Sequence, residues 1–188
     1  MQLRLHPQAR GALVLGHSAG GGVDAPDLRA ASRAGENSGF AVALVEQPYR
    51  VAGRRAPAPA AQLDEAWLAV VAELRRDVLA GLPHVAGGRS SGGRVACRTA
   101  EATGAVGVLC LAFPLRPPGR PDAPSRLPEL DAVRVATLVV QGERDPFGMP
   151  PAARNRTVVR VAGDHGLKSD LAAVAAAVEG WLARLSVA

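Results

Sequence analysis

The chain has 188 residues, a formal net charge of +5, and 48% hydrophobic against only 3% aromatic residues. That length reads as one domain, 1–188, able to bury roughly 70% of the surface an unfolded chain exposes, with a core built from Ala, Val and Leu. The positive charge does not point to nucleic acid: Lys168 is the only lysine among 22 basic residues, arginine pairs occur only at Arg54-Arg55 and Arg75-Arg76, and no longer basic block appears.

Met1 to Arg10 has no apolar h-region, and no run approaches roughly 18 apolar residues. Secretion and membrane insertion are therefore not expected, and the chain reads as cytoplasmic. Cys97 and Cys110 fall in a helix-like and a strand-like run without metal-ligand spacing. They read as small buried hydrophobes, and no disulfide, metal or cofactor is expected.

In chain order, Ala12 to Leu15 is a short apolar run feeding Gly16-His17-Ser18-Ala19-Gly20-Gly21-Gly22, which reads as a buried strand followed by a glycine loop. A helix is predicted from Pro26 to Arg33, a strand from Phe40 to Val45, and a Pro-rich loop from Val51 to Pro59. Leu63, Ala66, Trp67, Val70, Val71, Leu74 and Val78 share one face of a helix, with Asp64 and Glu65 in its first turn and Gly81 placed to end it. Val85 to Gly88 is a strand by its position, and Val95 to Ala102 a helix. Val106 to Phe113 and Ala136 to Val140 are unbroken apolar runs of strand length, as parallel strands covered on both faces require. Six prolines between Pro114 and Pro128 predict a non-helical crossing, too short for a lid domain. Thr157 to Val161, interrupted by Arg160, reads as an edge strand, and Leu171 to Leu185 as a final helix. Six strands alternating with helices or loops predict an α/β fold: a doubly wound, mainly parallel sheet of about six strands with helices on both faces.

Gly88-Arg89-Ser90-Ser91-Gly92 fits G-x-S-x-G, a serine on a sharp strand-to-helix turn. The glycines two before and two after Ser90 are explained by close backbone approach, and centring the motif on Ser91 would put Arg89 where a small residue is needed. A serine nucleophile needs a base and an acid to orient it. His165 follows the last strand in Gly163-Asp164-His165-Gly166, and Asp145 follows the strand before it in Gln141-Gly142-Glu143-Arg144-Asp145-Pro146. Loops after parallel strands gather on one sheet edge, so Ser90, Asp145 and His165 converge there. Asp164 and Glu143 compete for the acid role, but Asp164 adjoins His165, where side chains diverge, and Glu143 falls short of the turn. The backbone N–H groups of Ser91 and of Ala19, with Ser18 as alternative, are the expected oxyanion donors. His17 reads as a residue that organises its loop. The glycine loop lacks G-x-G-x-x-G spacing and a P-loop lysine, which argues against a nucleotide.

These pieces resemble an α/β-hydrolase, and more narrowly the small dienelactone-hydrolase-like group that includes testis-expressed protein thirty. The similar stretches are Gly16 to Gly21, Gly87 to Gly92, Phe113-Pro114-Leu115, Gln141 to Gly148 and Gly163 to Gly166. The resemblance implies Ser90 as nucleophile, Asp145 as acid and His165 as base, and a minimal fold without its two opening edge strands or a lid domain. Ser18 stands where the group usually has Gly. Dienelactone hydrolases carry Cys where this chain has Ser90, so a dienelactone substrate does not carry over.

The leading expectation is a serine hydrolase of a small carboxylic ester, thioester or related acyl bond, working through an acyl-enzyme. The rival is a catalytically idle scaffold for a protein partner, since some relatives are thought to act in protein complexes. Arg89, Arg144, Arg50 and Arg116 lie in or near loops on the same edge. Arg116 and Arg50 are the expected contacts to an anionic acyl substrate, with Arg89 packed against the elbow.

Overall fold

The computed structural model describes residues 1–186. Seven strands form one sheet: β1 (Gln2–Arg4), β2 (Gly11–Gly16), β3 (Phe40–Val45), β4 (His84–Arg89), β5 (Gly107–Leu111), β6 (Ala136–Gly142) and β7 (Arg156–Val161). Their spatial order is β1-β3-β2-β4-β5-β6-β7, parallel throughout except β1, which pairs antiparallel with β3. The doubly wound reading holds, and the strand count rises from about six to seven. The additional strand is three residues long and mostly exposed, too short for any hydrophobic periodicity to mark it.

The helices are α1 (Pro26–Asn37), α2 (Pro48–Val51), α3 (Ala60–Arg76), α4 (Ser91–Thr103), α5 (Leu127–Asp131) and α6 (Leu171–Arg184). Side chains alternate across the strands, so each inner strand serves two cores. Leu13, Leu15, Phe40 and Val42 pack on one face with Leu28 of α1 and Val174 and Val178 of α6. Ala12, Val14, Ala41 and Ala43 pack on the other with Trp67 and Val71 of α3 and Val95 and Ala96 of α4. Helix α3 stops at Arg76, with Asp77 as its C-cap, short of Val78 and Gly81. Gly81 instead takes a left-handed turn at φ 75° in the connection that follows. The proline-rich crossing is non-helical until α5 begins at Leu127. Cys97 of α4 and Cys110 of β5 are buried with their Sγ atoms 3.6 Å apart. No helix among the described residues is long and apolar enough to cross a membrane.

Chain order and spatial order diverge at one place. From β2 the chain moves outward to β3, then returns past β2 to lay down β4. The crevice at the C-terminal ends of β2 and β4 is thus the topological switch point, where open α/β sheets bind ligands. The glycine loop leaves β2 and the serine turn leaves β4 at that crevice.

At the opposite end of β4, His84 is 1% exposed and its Nε2 has no hydrogen-bond partner. Burial, with the Arg75 charge adding to it, lowers its pKa from 6.5 to about 4. The unfolded chain therefore takes up a proton near pH 6.5 that the folded chain refuses until about pH 4. Stability is expected to fall as pH drops through that window, by at most about 3 kcal/mol. Urea midpoints at pH 7 and 4.5 should differ less in His84→Leu than in the parent; an unchanged difference would assign the acid sensitivity elsewhere.

Candidate active site

Ser90 sits at φ 52°, ψ −109° between β4 and α4, a backbone conformation that L-residues seldom adopt. Two glycines permit the turn. A Cβ on Gly88 would lie 2.3 Å from the Gly16 carbonyl oxygen, and one on Gly92 would lie 2.4 Å from the same atom. The turn is tied to the sheet through the Ser90 N–H, which donates to Leu111 O at 2.8 Å.

Ser90, His165 and Asp145 meet in a continuous hydrogen-bonded series. His165 Nδ1 is 2.8 Å from Asp145 Oδ2, and His165 Nε2 is 3.0 Å from Ser90 Oγ. A carboxylate oxygen only accepts, so the imidazole proton belongs on Nδ1 and Nε2 is left to accept from the Ser90 hydroxyl. The two rival acids stand apart. Asp164 Oδ1 accepts from the Gly166 N–H at 2.8 Å, and Glu143 is exposed.

Asp145 is itself held by groups that the sequence reading missed. Its Oδ1 accepts from the Phe147 N–H at 2.9 Å, and its Oδ2 also accepts from Gln141 Nε2 at 2.8 Å. Gln141 is fully buried. Its Oε1 accepts from Phe113 N–H, and its Nε2 faces Asp145, Gly148 O and Phe113 O, so two N–H bonds serve three acceptors. The available signal was a lone amide ending the apolar run of β6. Phe147 stacks on His165 with ring centroids 4.1 Å apart.

Arg89 lies against the elbow as expected and does more than pack there. Its Nε donates to the buried Asp27 of α1 at 3.1 Å, and its Nη2 donates to the His165 carbonyl at 2.7 Å. One guanidinium thus ties the end of β4 to α1 and to the loop carrying the imidazole. Burial raises the pKa of Asp27, with the Arg89 charge opposing it.

In the glycine loop, His17 is fully buried; its Nδ1–H donates to Ser18 O at 2.7 Å and its Nε2 accepts from the Gln47 N–H at 2.9 Å. Burial holds its pKa below the ordinary value. Both nitrogens are occupied away from Ser90, which makes His17 an organiser of the loop. Tyr49 Oη adds a hydrogen bond to Ala19 O at 2.9 Å. The backbone N–H groups of Ser91, at the first position of α4, and of Ala19 have no protein acceptor among the described residues. Both residues line hollows at Ser90.

Two hollows flank Ser90. The larger, about 470 Å³, lies between the glycine loop, Arg89 and His165; the smaller, about 300 Å³, lies between α3, α4 and the proline-rich crossing. Neither Arg116 nor Arg50 lines either one. Arg116 is exposed and its Nε donates to Ala123 O within its own loop, Arg50 is half-buried behind the glycine loop, and Arg144 is exposed. The arginines that do line the smaller hollow are Arg94, Arg98 and Arg126. Among the described residues, no group of three or more His, Cys, Asp or Glu side chains is arranged to hold a metal ion.

Residues 9–173 match the model of a family described as alpha/beta hydrolase domain. No curated protein matches the sequence. Among solved structures, the chain is similar to Est1E from Butyrivibrio proteoclasticus with ferulic acid bound, at 16% identity and TM-score 0.76 over 98% of this chain and 94% of that one. It is similar to an α/β serine hydrolase without lid from Xanthomonas campestris, at 19% identity and TM-score 0.72 over 97% and 87% of the two chains. A dienelactone hydrolase from Anabaena variabilis gives 18% identity and TM-score 0.72 over 95% and 88%. At these identities the structural likeness speaks for the fold, and the family match for kinship. The chain belongs to the α/β hydrolase family.

Proposed function

We propose that this chain, as one domain over 1–188, is a serine hydrolase that cleaves a small carboxylic ester, thioester or related acyl bond through an acyl-enzyme. The observation that carries the reading is the Asp145–His165–Ser90 series at the switch point, with hydrogen bonds of 2.8 and 3.0 Å. His165 Nε2 removes the Ser90 proton as Oγ attacks the carbonyl carbon, and Asp145 stabilises the imidazolium that forms. The Ser91 and Ala19 N–H groups stabilise the oxyanion, a role in which losing one donor typically costs about 2.7–4 kcal/mol of transition-state stabilisation. The imidazolium then protonates the leaving group, and water activated by the same base releases the acid. Similarity to a serine hydrolase described as lacking a lid supports a site open to small substrates.

The test is covalent labelling by a fluorophosphonate. Ser90 should carry the adduct in the parent, and Ser90→Ala should carry none. An unlabelled parent, or equal labelling of the variant, would overturn the reading.

Arg89 is expected to act as a positioning residue with two separable effects. Arg89→Met leaves the buried Asp27 carboxylate without its partner and should cost about 3–5 kcal/mol of stability. The double variant Arg89→Met/Asp27→Leu removes that stranded charge, so melting temperature should recover. Turnover should stay depressed, by up to about 100-fold, because the His165 carbonyl has still lost its donor. Recovery of turnover together with stability would leave Arg89 a structural role only.

A further inference from the structure

The two hollows at Ser90 are not equivalent. His165 lines the larger and not the smaller. Since the imidazolium delivers its proton to the departing group, the leaving group occupies the larger hollow and the acyl chain is left with the smaller.

The smaller hollow has apolar walls from Pro57, Ala58, Leu63 and Pro114 and a cluster of charge from α4 and the crossing. Arg94 grips Glu129 with both Nε and Nη2, at 2.8 and 2.5 Å. Arg98 grips Asp64 in the same way, at 2.8 and 2.7 Å, and its Nη1 also lies 3.3 Å from Glu129. Three guanidinium groups therefore meet two carboxylates, and the one left over is Arg126. It makes no ion pair among the described residues; its one side-chain hydrogen bond runs from Nη1 to Pro114 O at 3.2 Å. Its backbone N–H donates to Leu115 O at 2.9 Å, which fixes the residue at the start of α5. A guanidinium carries five N–H donors, so most of this one's have no acceptor among the described residues, on a side chain that lines the hollow.

The neighbourhood is unfavourable to a bare cation. Burial and the Arg94 charge both pull the Arg126 pKa below the ordinary arginine value, and Glu129, already shared by Arg94 and Arg98, opposes them. An anion delivered by a substrate supplies the missing counter-charge, and the planar fork suits a carboxylate.

We infer that the smaller hollow is an acyl pocket for a short chain ending in a carboxylate, with Arg126 as its anchor, so that the substrates are monoesters or monothioesters of small dicarboxylic acids. This rests on the serine-hydrolase reading and names its substrate class. Ser90 Oγ forms the new acyl bond and the ester C–O (or C–S) bond breaks. The alcohol or thiol leaves with the proton from His165, and water then releases the dicarboxylate. Arg126 replaces Arg116 and Arg50 as the anion contact on the catalytic edge.

The test compares kcat/KM for monomethyl glutarate and methyl pentanoate, by acid release, in the parent, Arg126→Gln and Arg126→Lys. The parent should favour the glutarate monoester by about 10- to 100-fold, the range of a charge-assisted hydrogen-bonded contact. Arg126→Gln should bring the ratio near unity through a rise in KM, and Arg126→Lys, which keeps charge but not the fork, should restore part of it. A parent ratio of one or less, or a ratio unmoved by Arg126→Gln, overturns the inference. If neither ester is hydrolysed and the fluorophosphonate does not label Ser90, the acyl-transfer reading fails by itself. Calorimetric titration of Ser90→Ala with monomethyl glutarate then decides: binding lost on adding Arg126→Gln supports the anion pocket, and no binding overturns it.

Discussion

Ser90→Ala is expected to lower turnover of small esters by up to about 10⁶-fold, with the protein still folded by circular dichroism. The size follows from the members acting as a unit: without Oγ, the proton-accepting Nε2 of His165 has nothing to activate. His165→Ala should fall nearly as far, and the double variant should lose little more, since each substitution already removes the same step. Ser91→Ala provides the contrast. The Ser91 hydroxyl reaches only His17 O, at 3.5 Å, while its proposed contribution comes from a backbone N–H that alanine retains. A Ser91→Ala loss equal to that of Ser90→Ala would show that the motif had been read in the wrong register.

Asp145→Asn is expected to cost about 10⁴-fold in turnover. Both oxygens of this carboxylate accept: Oδ1 from Phe147 N–H, and Oδ2 from Gln141 Nε2 and His165 Nδ1. An amide has one acceptor end, so either orientation turns an NH₂ group toward a donor. With the NH₂ toward His165, the imidazole has to move its proton to Nε2, where it can no longer accept from Ser90. With the NH₂ toward Phe147, two buried donors oppose each other. Asp164→Asn and Glu143→Gln touch neither atom and should leave turnover within a few-fold of the parent. Steady-state assays on the three variants decide the assignment, and a collapse in Asp164→Asn would move the acid to that position.

Much of the frame was legible because buried parallel strands must be apolar on both faces. Phe40 to Val45 appears in the fold with the boundaries its composition suggested. The meeting of three side chains was legible for a related reason: Ser90, Asp145 and His165 each stand just beyond a strand, and parallel strands deliver such positions to one edge. Side-chain reach was not legible. Gln141 serves Asp145 four residues ahead because strand and turn fold back on each other, and Phe147 covers His165 across two loops. Loop position placed Arg50 and Arg116 on the correct edge but said nothing of where their long side chains would go. Arg126 was hidden by the prolines before it, whose path is set by tertiary packing and leaves no periodic trace.

The paired thiols of Cys97 and Cys110 have a practical consequence. Cys97 sits on the inner face of α4, the helix whose first residue follows Ser90, and Cys110 lies beneath it on β5. The contact with the Cys110 thiol, with burial adding to it, pushes the Cys97 thiol well above its ordinary pKa, so it offers little thiolate to a reagent. Cys110 is fully buried on β5, so its modification waits for α4 to lift from the sheet, and its rate counts those openings as hydrogen exchange would. The smaller hollow is lined by Ser91, Arg94 and Arg98 of that helix, so a ligand seated there should slow the labelling of Cys110, and the protein serves as its own stopwatch for the layer beneath the nucleophile.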